Sequence, residues 1–319
     1  MTKKSLSARI PPDLDGKRLD QALAVLFADI TRSRLQQWIA EERVRLNGRL
    51  PRKRDRVGKG DRIEIHVPQP PENDWPPQRI PLRIVHEDEA LLVVDKPPGL
   101  VVHPGAGNPD MTLLNALLAY LPGLKTLPRA GIVHRLDKET SGLLAVAKTE
   151  IARQKLIRQL AARSIEREYV AIVVGKMISG GTVEAPIGRH ARQRTRMAVT
   201  ERGKEAITHY RVLKRYLAHT LIQVKLESGR THQIRVHLAH VGFPVLGDPL
   251  YGGRFKVPRG CSDQLADTLR GFKRQALHAA KLALDHPVSG ERMQWTASVP
   301  SDMHTLMEVL AEDARASGD

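Results

Sequence analysis

The sequence predicts an α+β protein in two parts: a small basic domain first, then a larger domain on a mixed or antiparallel sheet. Three observations carry this. After residue 80, strand-like and helix-like segments follow one another irregularly, without the strict βα alternation of a parallel sheet. Residues 68–79, Pro-Gln-Pro-Pro-Glu-Asn-Asp-Trp-Pro-Pro-Gln-Arg, hold five prolines and read as a semi-rigid linker. Residues 16–67 carry 13 Lys or Arg against 7 acids, a net of +6 in 52 residues.

The elements follow in order. Residues 1–15 are polar and read as an extension. Leu19, Ala22, Leu23, Leu26 and Phe27 recur at helical spacing. A second helix starts near Thr31, its expected N-cap, and turns Leu35, Trp38 and Ile39 inward. Val44 to Arg49 alternates into Asn47-Gly48, a strong hairpin signal. A turn at Gly58–Asp61 leads to a closing strand over 63–67. In the larger part, short strands at 84–85 and 91–94 flank an acidic turn, and 113–118 is helical. A strand at 143–148, a basic helix at 150–162 and strands at 169–174 and 221–226 follow. An amphipathic helix covers 301–315; the large domain is bounded at 80–312, leaving 313–319 as a tail.

Composition narrows the function. The 319 residues include 51 Lys plus Arg against 35 Asp plus Glu, a net charge of +16, which points to a polyanionic partner such as nucleic acid. No run approaches the roughly 18 apolar residues of a spanning helix, and Met1 to Leu6 lacks the apolar stretch of a signal peptide. No membrane partner and a cytoplasmic location are therefore expected. Cys261 is the only cysteine, so no internal disulfide can form, and a thiolate zinc site is not expected. Aromatic residues are only 4%, too few for extensive base-stacking platforms, so recognition should lean on arginine, backbone contacts and RNA shape.

Four segments of the large part bear chemistry. Asp95-Lys96-Pro97-Pro98-Gly99-Leu100-Val101-Val102-His103-Pro104-Gly105 reads alone as a rigid turn, and otherwise as a wall of a substrate cleft. In His134-Arg135-Leu136-Asp137-Lys138-Glu139-Thr140-Ser141-Gly142, Asp137 reads alone as a cap; beside an arginine it is also a candidate nucleophile. Arg167-Glu168-Tyr169 sits on a strand, where Tyr169 is a core residue or a cleft residue. In Gly229-Arg230-Thr231-His232-Gln233-Ile234-Arg235-Val236-His237-Leu238, apolar residues alternate with Arg235 and His237 as in a strand. Arg235 is either a solvated charge or a partner reaching Asp137 from that second strand. Glu227 has no metal-type spacing to these histidines, so no metal is expected.

Arg18-Leu19-Asp20-Gln21-Ala22-Leu23, Ser33-Arg34, Val44-Arg45-Leu46-Asn47-Gly48 and Gly60-Asp61 together resemble an S4 RNA-binding domain, assigned to 16–67. The motifs around Asp137, Tyr169 and Arg235, in that order, are similar to the RluA-type pseudouridine synthases, over about residues 80–300. Finer features, Val101-Val102-His103-Pro104-Gly105-Ala106-Gly107-Asn108-Pro109, Arg129-Ala130-Gly131-Ile132, Gly247-Asp248-Pro249 and Arg274-Gln275-Ala276-Leu277-His278-Ala279, resemble the branch that modifies the helix-69 stem-loop of bacterial 23S rRNA.

The resemblance implies an α+β pseudouridine synthase domain behind an S4 domain. It implies that Asp137 is the nucleophile toward ribose C1′, or in a variant takes the 2′ proton, that Tyr169 stacks on the base, and that Arg235 pairs with Asp137. Arg135 would fill the space of the flipped nucleotide or clamp a phosphate. His134, Arg230, Arg32, Arg34, Arg52, Lys53 and Arg54 complete the expected RNA contacts, with Arg189, Arg192, Arg194, Arg196, Arg153, Lys155 and Arg158 as further phosphate candidates. No cofactor is expected, in keeping with the lack of G-x-x-x-x-G-K-[ST] and G-x-G-x-x-G loops. The partner would be 23S rRNA or the assembling large subunit, met by a monomer. Two alternatives stay open: an S4-bearing synthase for other 23S rRNA uridines, and a non-catalytic rRNA-binding assembly factor. An S4-containing methyltransferase would need a glycine-rich cofactor loop that is absent.

Overall fold

The computed structural model describes residues 5–27, 30, 32–66, 75–105, 107–193 and 195–316, the side chains of Ser33 and Arg34 excepted. The expected cap at Thr31, the Arg34 side chain and Arg194 lie outside the described residues. The chain divides into two compact units, 1–74 and 75–319.

The first unit contains β1 (Ser5–Arg9), α1 (Leu19–Leu26), α2 (Arg32–Ala40), β2 (Val44–Leu46) and β3 (Arg62–His66). Its sheet has the order β1-β3-β2, antiparallel throughout. Leu19, Leu23, Leu35, Trp38, Val44, Ile63 and Ile65 form its core. Residues 5–9 are thus not an extension: they pair with β3 from Ser5↔His66 to Arg9↔Arg62, and Ile10 and Leu14 behind them are buried. The strand alternates exposed and half-buried residues, so no apolar run marks it in the sequence. Asn47 and Gly48 both take positive φ, +50° and +79°, the mirror-image turn that suits a hairpin. The hairpin closes with one bridge, Leu46 to Arg49, and β2 finds its ladder on β3 instead.

The second unit runs β4 (Arg83–Glu87), β5 (Leu91–Lys96), α3 (Leu113–Tyr120), β6 (Ser141–Ala147), α4 (Glu150–Ala161), β7 (Glu166–Val174), β8 (Gly181–Glu184), β9 (Ile187–Arg189) and β10 (Met197–Val199). It continues with β11 (Ile207–Arg215), β12 (His219–Leu226), α5 (Gln233–His240), α6 (Asp263–Gly271), β13 (Leu277–Asp285), β14 (Arg292–Thr296) and α7 (Ser301–Ala316). A nine-stranded sheet has the order β4-β5-β6-β13-β7-β12-β11-β8, with β14 beside β13. Only the β13–β6 pair is parallel, which makes the sheet mixed. β9 and β10 form a separate antiparallel pair.

Both faces of the central strands are covered. Leu92, Val94, Leu144 and Val146 pack with α3, α5, α6 and α7. Leu91, Val93, Leu143, Ala145 and Ala147 pack on the other side with Ala152 and Leu156 of α4. Two buried faces explain why these strands read as continuous apolar runs. Two boundaries move. Trp75 packs against the main core and Gln78 N–H donates to Asn115 O at 3.0 Å, so the end of the proline-rich segment belongs to the large unit. The final helix reaches Ala316 with Asp313 and Ala314 buried, so 313–316 is not a tail. No helix among the described residues is long and apolar enough to cross a membrane.

Gly142 sits where β6 meets β13 in parallel, with φ +112°; a Cβ there would lie 2.3 Å from Ala279 O and 2.6 Å from Ala279 N. Backbone atoms cannot step aside, and the φ is costly for any L side chain. Gly142→Ala is therefore expected to destabilise the large unit by about 3 kcal/mol or more, read as a lowered urea midpoint. A midpoint within error of wild type would contradict this packing.

Candidate active site

A cavity of about 500 Å³ opens in the second unit, and Asp137, Tyr169 and Arg235 all line it. Three distant segments of sequence thus meet at one cavity.

The Asp137 loop is held by its backbone. Arg129, Ala130 and Gly131 adopt left-handed conformations in succession, with φ of +55°, +50° and +76°. For the two non-glycine residues this costs about 1–2 kcal/mol each. The turn brings Ile132 to bridge Val146 of β6. His134 then accepts the Ala145 N–H on Nε2 at 2.9 Å, and Leu136 is buried. His134, expected to contact RNA, therefore spends one ring nitrogen inside the fold. Lys96 ties the other side: its Nζ donates to Pro97 O (2.8 Å), Leu100 O (2.9 Å) and Lys138 O (3.0 Å). Three acceptors match the three donors of an ammonium. Burial pushes Lys96 down to about 7, against the pull of Glu139 and Asp137. The Asp95–Gly105 segment supplies His103 and Pro104 to the cavity wall, as the cleft reading predicts.

Arg235 does not come from a strand. His232 takes φ +57° and starts α5, and Gln233 to Leu238 are all buried. A short apolar–polar alternation cannot be told from a helix buried all round. From α5 the guanidinium donates Nη1 to Asp137 Oδ2 at 2.9 Å. Its Nε and Nη2 grip Asp248 at 2.6 and 2.8 Å, a bidentate pair. Asp248 also accepts the N–H groups of Leu250 and Tyr251, at 2.9 and 3.0 Å. Burial alone would lower Arg235; Asp248, then Asp137, outweigh it, and its pKa rises. Asp248 is raised by burial but lowered further by Arg235 and the two N–H groups. The Arg235 guanidinium also lies over the Tyr251 ring, 5.0 Å from its centre. His232 Nδ1 is 2.8 Å from the Tyr251 hydroxyl, and His232 Nε2 is 3.9 Å from Asp137 Oδ1.

Tyr169 projects from β7 and is 6% exposed. Burial, then Asp137, raises its hydroxyl, with Arg167 opposing. Such a phenol stays protonated at neutral pH. Arg135 and Arg230 are exposed and line the cavity; Arg230 Nε also donates to Glu205 O at 3.0 Å. The partner of Asp137 is Arg235, not its sequence neighbour Arg135.

In the first unit Arg52, Lys53 and Arg54 are exposed. Arg32 is engaged with the fully buried Asp20, Nη2 to Oδ2 2.6 Å, and Arg18 grips the same carboxylate at 3.1 Å. In the second unit, Arg153 pairs with Glu150, and Arg196 lies 5.3 Å over the Tyr251 ring. Among the described residues no group of three or more His, Cys, Asp or Glu side chains is arranged to hold a metal ion.

Sequence reasoning did not assign Asp248, His232 or Tyr251. Asp248 stood in the sequence only within Gly247-Asp248-Pro249, a finer feature of the resemblance with no role attached. In the fold it also holds a turn, through Leu250 and Tyr251.

With that geometry, family relationships are decisive. The model of the RNA pseudouridylate synthase family matches residues 90–240, and that of the S4 domain residues 17–63. The Ribosomal large subunit pseudouridine synthase D of Pseudomonas aeruginosa is 54% identical over 310 residues, covering 97% of each chain. The chain belongs to the RNA pseudouridylate synthase family. The enzyme of the same name from Xanthomonas campestris is 52% identical, over 97% of this chain and 94% of that one. Among solved structures, Human RNA Pseudouridylate Synthase Domain Containing 4 superposes with a TM-score of 0.56 at 26% identity, over 72% of this chain and 93% of that one. The fold and the synthase assignment expected from the motifs hold in this pseudouridylate synthase.

The loop makes one pH prediction. Burial, then Arg167, pushes His134 down to about 3, and burial, then Arg129 and Arg135, pushes His103 down to about 4. In the unfolded chain each histidine titrates near ~6.5. Below that pH the unfolded state binds more protons than the folded one, so stability falls as pH falls. The urea midpoint should drop from pH 7 to pH 5. His134→Asn, which keeps an acceptor for Ala145 N–H but no titration, should show a shallower drop. An equal slope would exclude His134 as a contributor.

Proposed function

We propose that this enzyme converts uridine to pseudouridine in large-subunit ribosomal RNA, with the helix-69 stem-loop of 23S rRNA as its target. The observation that carries this reading is the Asp137 carboxylate, aimed by Arg235 into a cavity shared with Tyr169. The S4 domain and the two synthase D relatives favour rRNA over other RNAs. A net charge of +16 suits a large polyanion.

In this reading the target uridine leaves its stack, at a cost of a few kcal/mol that is least in a loop. Arg135 and Arg230, exposed at the cavity, hold the strand or fill the vacated space. Asp137 attacks C1′, and the C1′–N1 electron pair leaves with uracil. The base turns against Tyr169, C5 joins C1′ and the carboxylate leaves; C5 then loses its proton and N1 gains one, which leaves neutral pseudouridine. A phenol held protonated suits Tyr169 to stacking and hydrogen-bond donation more than to proton abstraction. In the first unit, Arg52, Lys53 and Arg54 dock on rRNA phosphates, with Arg34 and the outer edge of Arg32. No cofactor enters these steps. The enzyme works in the cytoplasm, as a monomer, on naked rRNA or the assembling subunit.

The test maps pseudouridine by carbodiimide chemistry in unmodified 23S rRNA treated with the purified protein. Wild type should modify helix-69 uridines. Asp137→Ala should lower the rate by at least about 10⁴-fold. Modification only at other 23S rRNA positions would overturn the site assignment. Product formed by Asp137→Ala at the wild-type rate would overturn the nucleophile. No product from wild type on rRNA or subunits would favour an assembly factor.

A further inference from the structure

Arg167 is the one arginine of the cavity that is enclosed yet has no hydrogen-bond or ion-pair partner among the described residues. It is 8% exposed, and its Nε is fully covered without a partner. A buried charge is ordinarily paired, because leaving it alone is costly. It is closely seated: a Cβ on Gly229 would lie 2.6 Å from its Nη1, so any larger residue at 229 would push the guanidinium aside. Arg167 stands two residues before Tyr169 on β7, so both project from one face of the strand. Arg235, by contrast, is shared between Asp137 and Asp248.

We infer that Arg167 is a catalytic residue that receives the negative charge of the departing uracil. This rests on the synthase reading above and adds to it a named group for the leaving base. When Asp137 bonds to C1′, its carboxylate becomes a neutral ester. The C1′–N1 bond breaks, its electron pair stays with the base, and the charge spreads over N1, O2 and O4. If Asp137 instead takes the 2′ proton, the carboxyl is again neutral and the base again anionic. Either way one negative charge moves from Asp137 to uracil, and no other reactant is needed. A fixed cation with no resident counter-ion is suited to meet charge that exists only after bond breaking. A phosphate is the lesser fit. The backbone of a continuing strand stays at the mouth, where Arg135, Arg129 and Arg230 are exposed, whereas Arg167 lies beside the enclosed Tyr169.

The experiment is single-turnover kinetics with enzyme in excess over unmodified 23S rRNA, comparing wild type, Arg167→Met, Arg167→Lys and Gly229→Ala. Arg167→Met should lower the saturating rate by about 10²-fold or more, with half-saturation and the salt slope near wild type. Arg167→Lys should recover part of that rate. Gly229→Ala, which keeps the charge but displaces the guanidinium, should also slow the step, and it tests the inference even where Arg167→Met folds poorly. On RNA carrying 5-fluorouridine, whose base is a better anion, the Arg167→Met deficit in C1′–N1 cleavage should shrink. An unchanged saturating rate with weaker binding and a salt slope lower by about one would make Arg167 a phosphate contact and overturn the inference. So would unchanged rate and binding. An inert wild type would sink the synthase reading as well; an active wild type with a fully active Arg167→Met would sink this inference alone.

Discussion

The rest of the site depends on one guanidinium gripped by two carboxylates. Arg235 could point anywhere along its flexible stem. The bidentate hold of Asp248, itself fixed by two backbone N–H groups, leaves Nη1 to reach Asp137. Tyr251 covers the guanidinium face, and its hydroxyl accepts the Met197 N–H at 2.9 Å while lying 2.8 Å from His232. The brace therefore links α5, the Asp248 turn and β10. Buried ion pairs of this kind contribute geometric specificity more readily than stability. If Asp137 is the nucleophile proposed above, its oxygen must be placed to within a fraction of an ångström, which such a brace supplies.

The Asp137 loop is fixed from the other side by independent means. A left-handed turn at residues 129–131, the His134 acceptor and the Lys96 ammonium each tie the loop to β6 or to the Asp95–Gly105 segment. The strain of that turn is offset by burial of Ile132 and Leu136 behind it. Two rigid bodies, the loop and the Arg235 brace, thus meet at the 2.9 Å contact. Around it the charges are divided by role: paired and buried in Arg235, exposed in Arg135 and Arg230, enclosed and unpaired in Arg167.

Much of this was legible in the sequence. The central strands announced themselves because both faces are buried, and the resemblance singled out Asp137, Tyr169 and Arg235, which the fold then places at one cavity. What escaped has physical causes. β1 alternates exposed and half-buried residues and carries no apolar signal. α5 is buried all round, so a short stretch of it mimics a strand. Asp248 carried no role in the sequence, because its grip on Arg235 joins residues 13 apart through a turn that only the fold closes. Lys96 looked like part of a proline turn, since three backbone carbonyls converging on one nitrogen leave no trace in sequence. Arg167 was overshadowed by Tyr169, and only burial reveals that it lacks a partner.

The most direct test of the brace is the single-turnover rate of Asp248→Asn on unmodified 23S rRNA, at saturating enzyme. This substitution would keep the volume and the turn but lose the charged, two-oxygen grip on Arg235. The saturating rate should fall by about 10²-fold, with RNA affinity near wild type, because Asp137 is misaimed while the docking surface is untouched. A saturating rate equal to wild type would show that Asp137 needs no such brace, and would contradict the account.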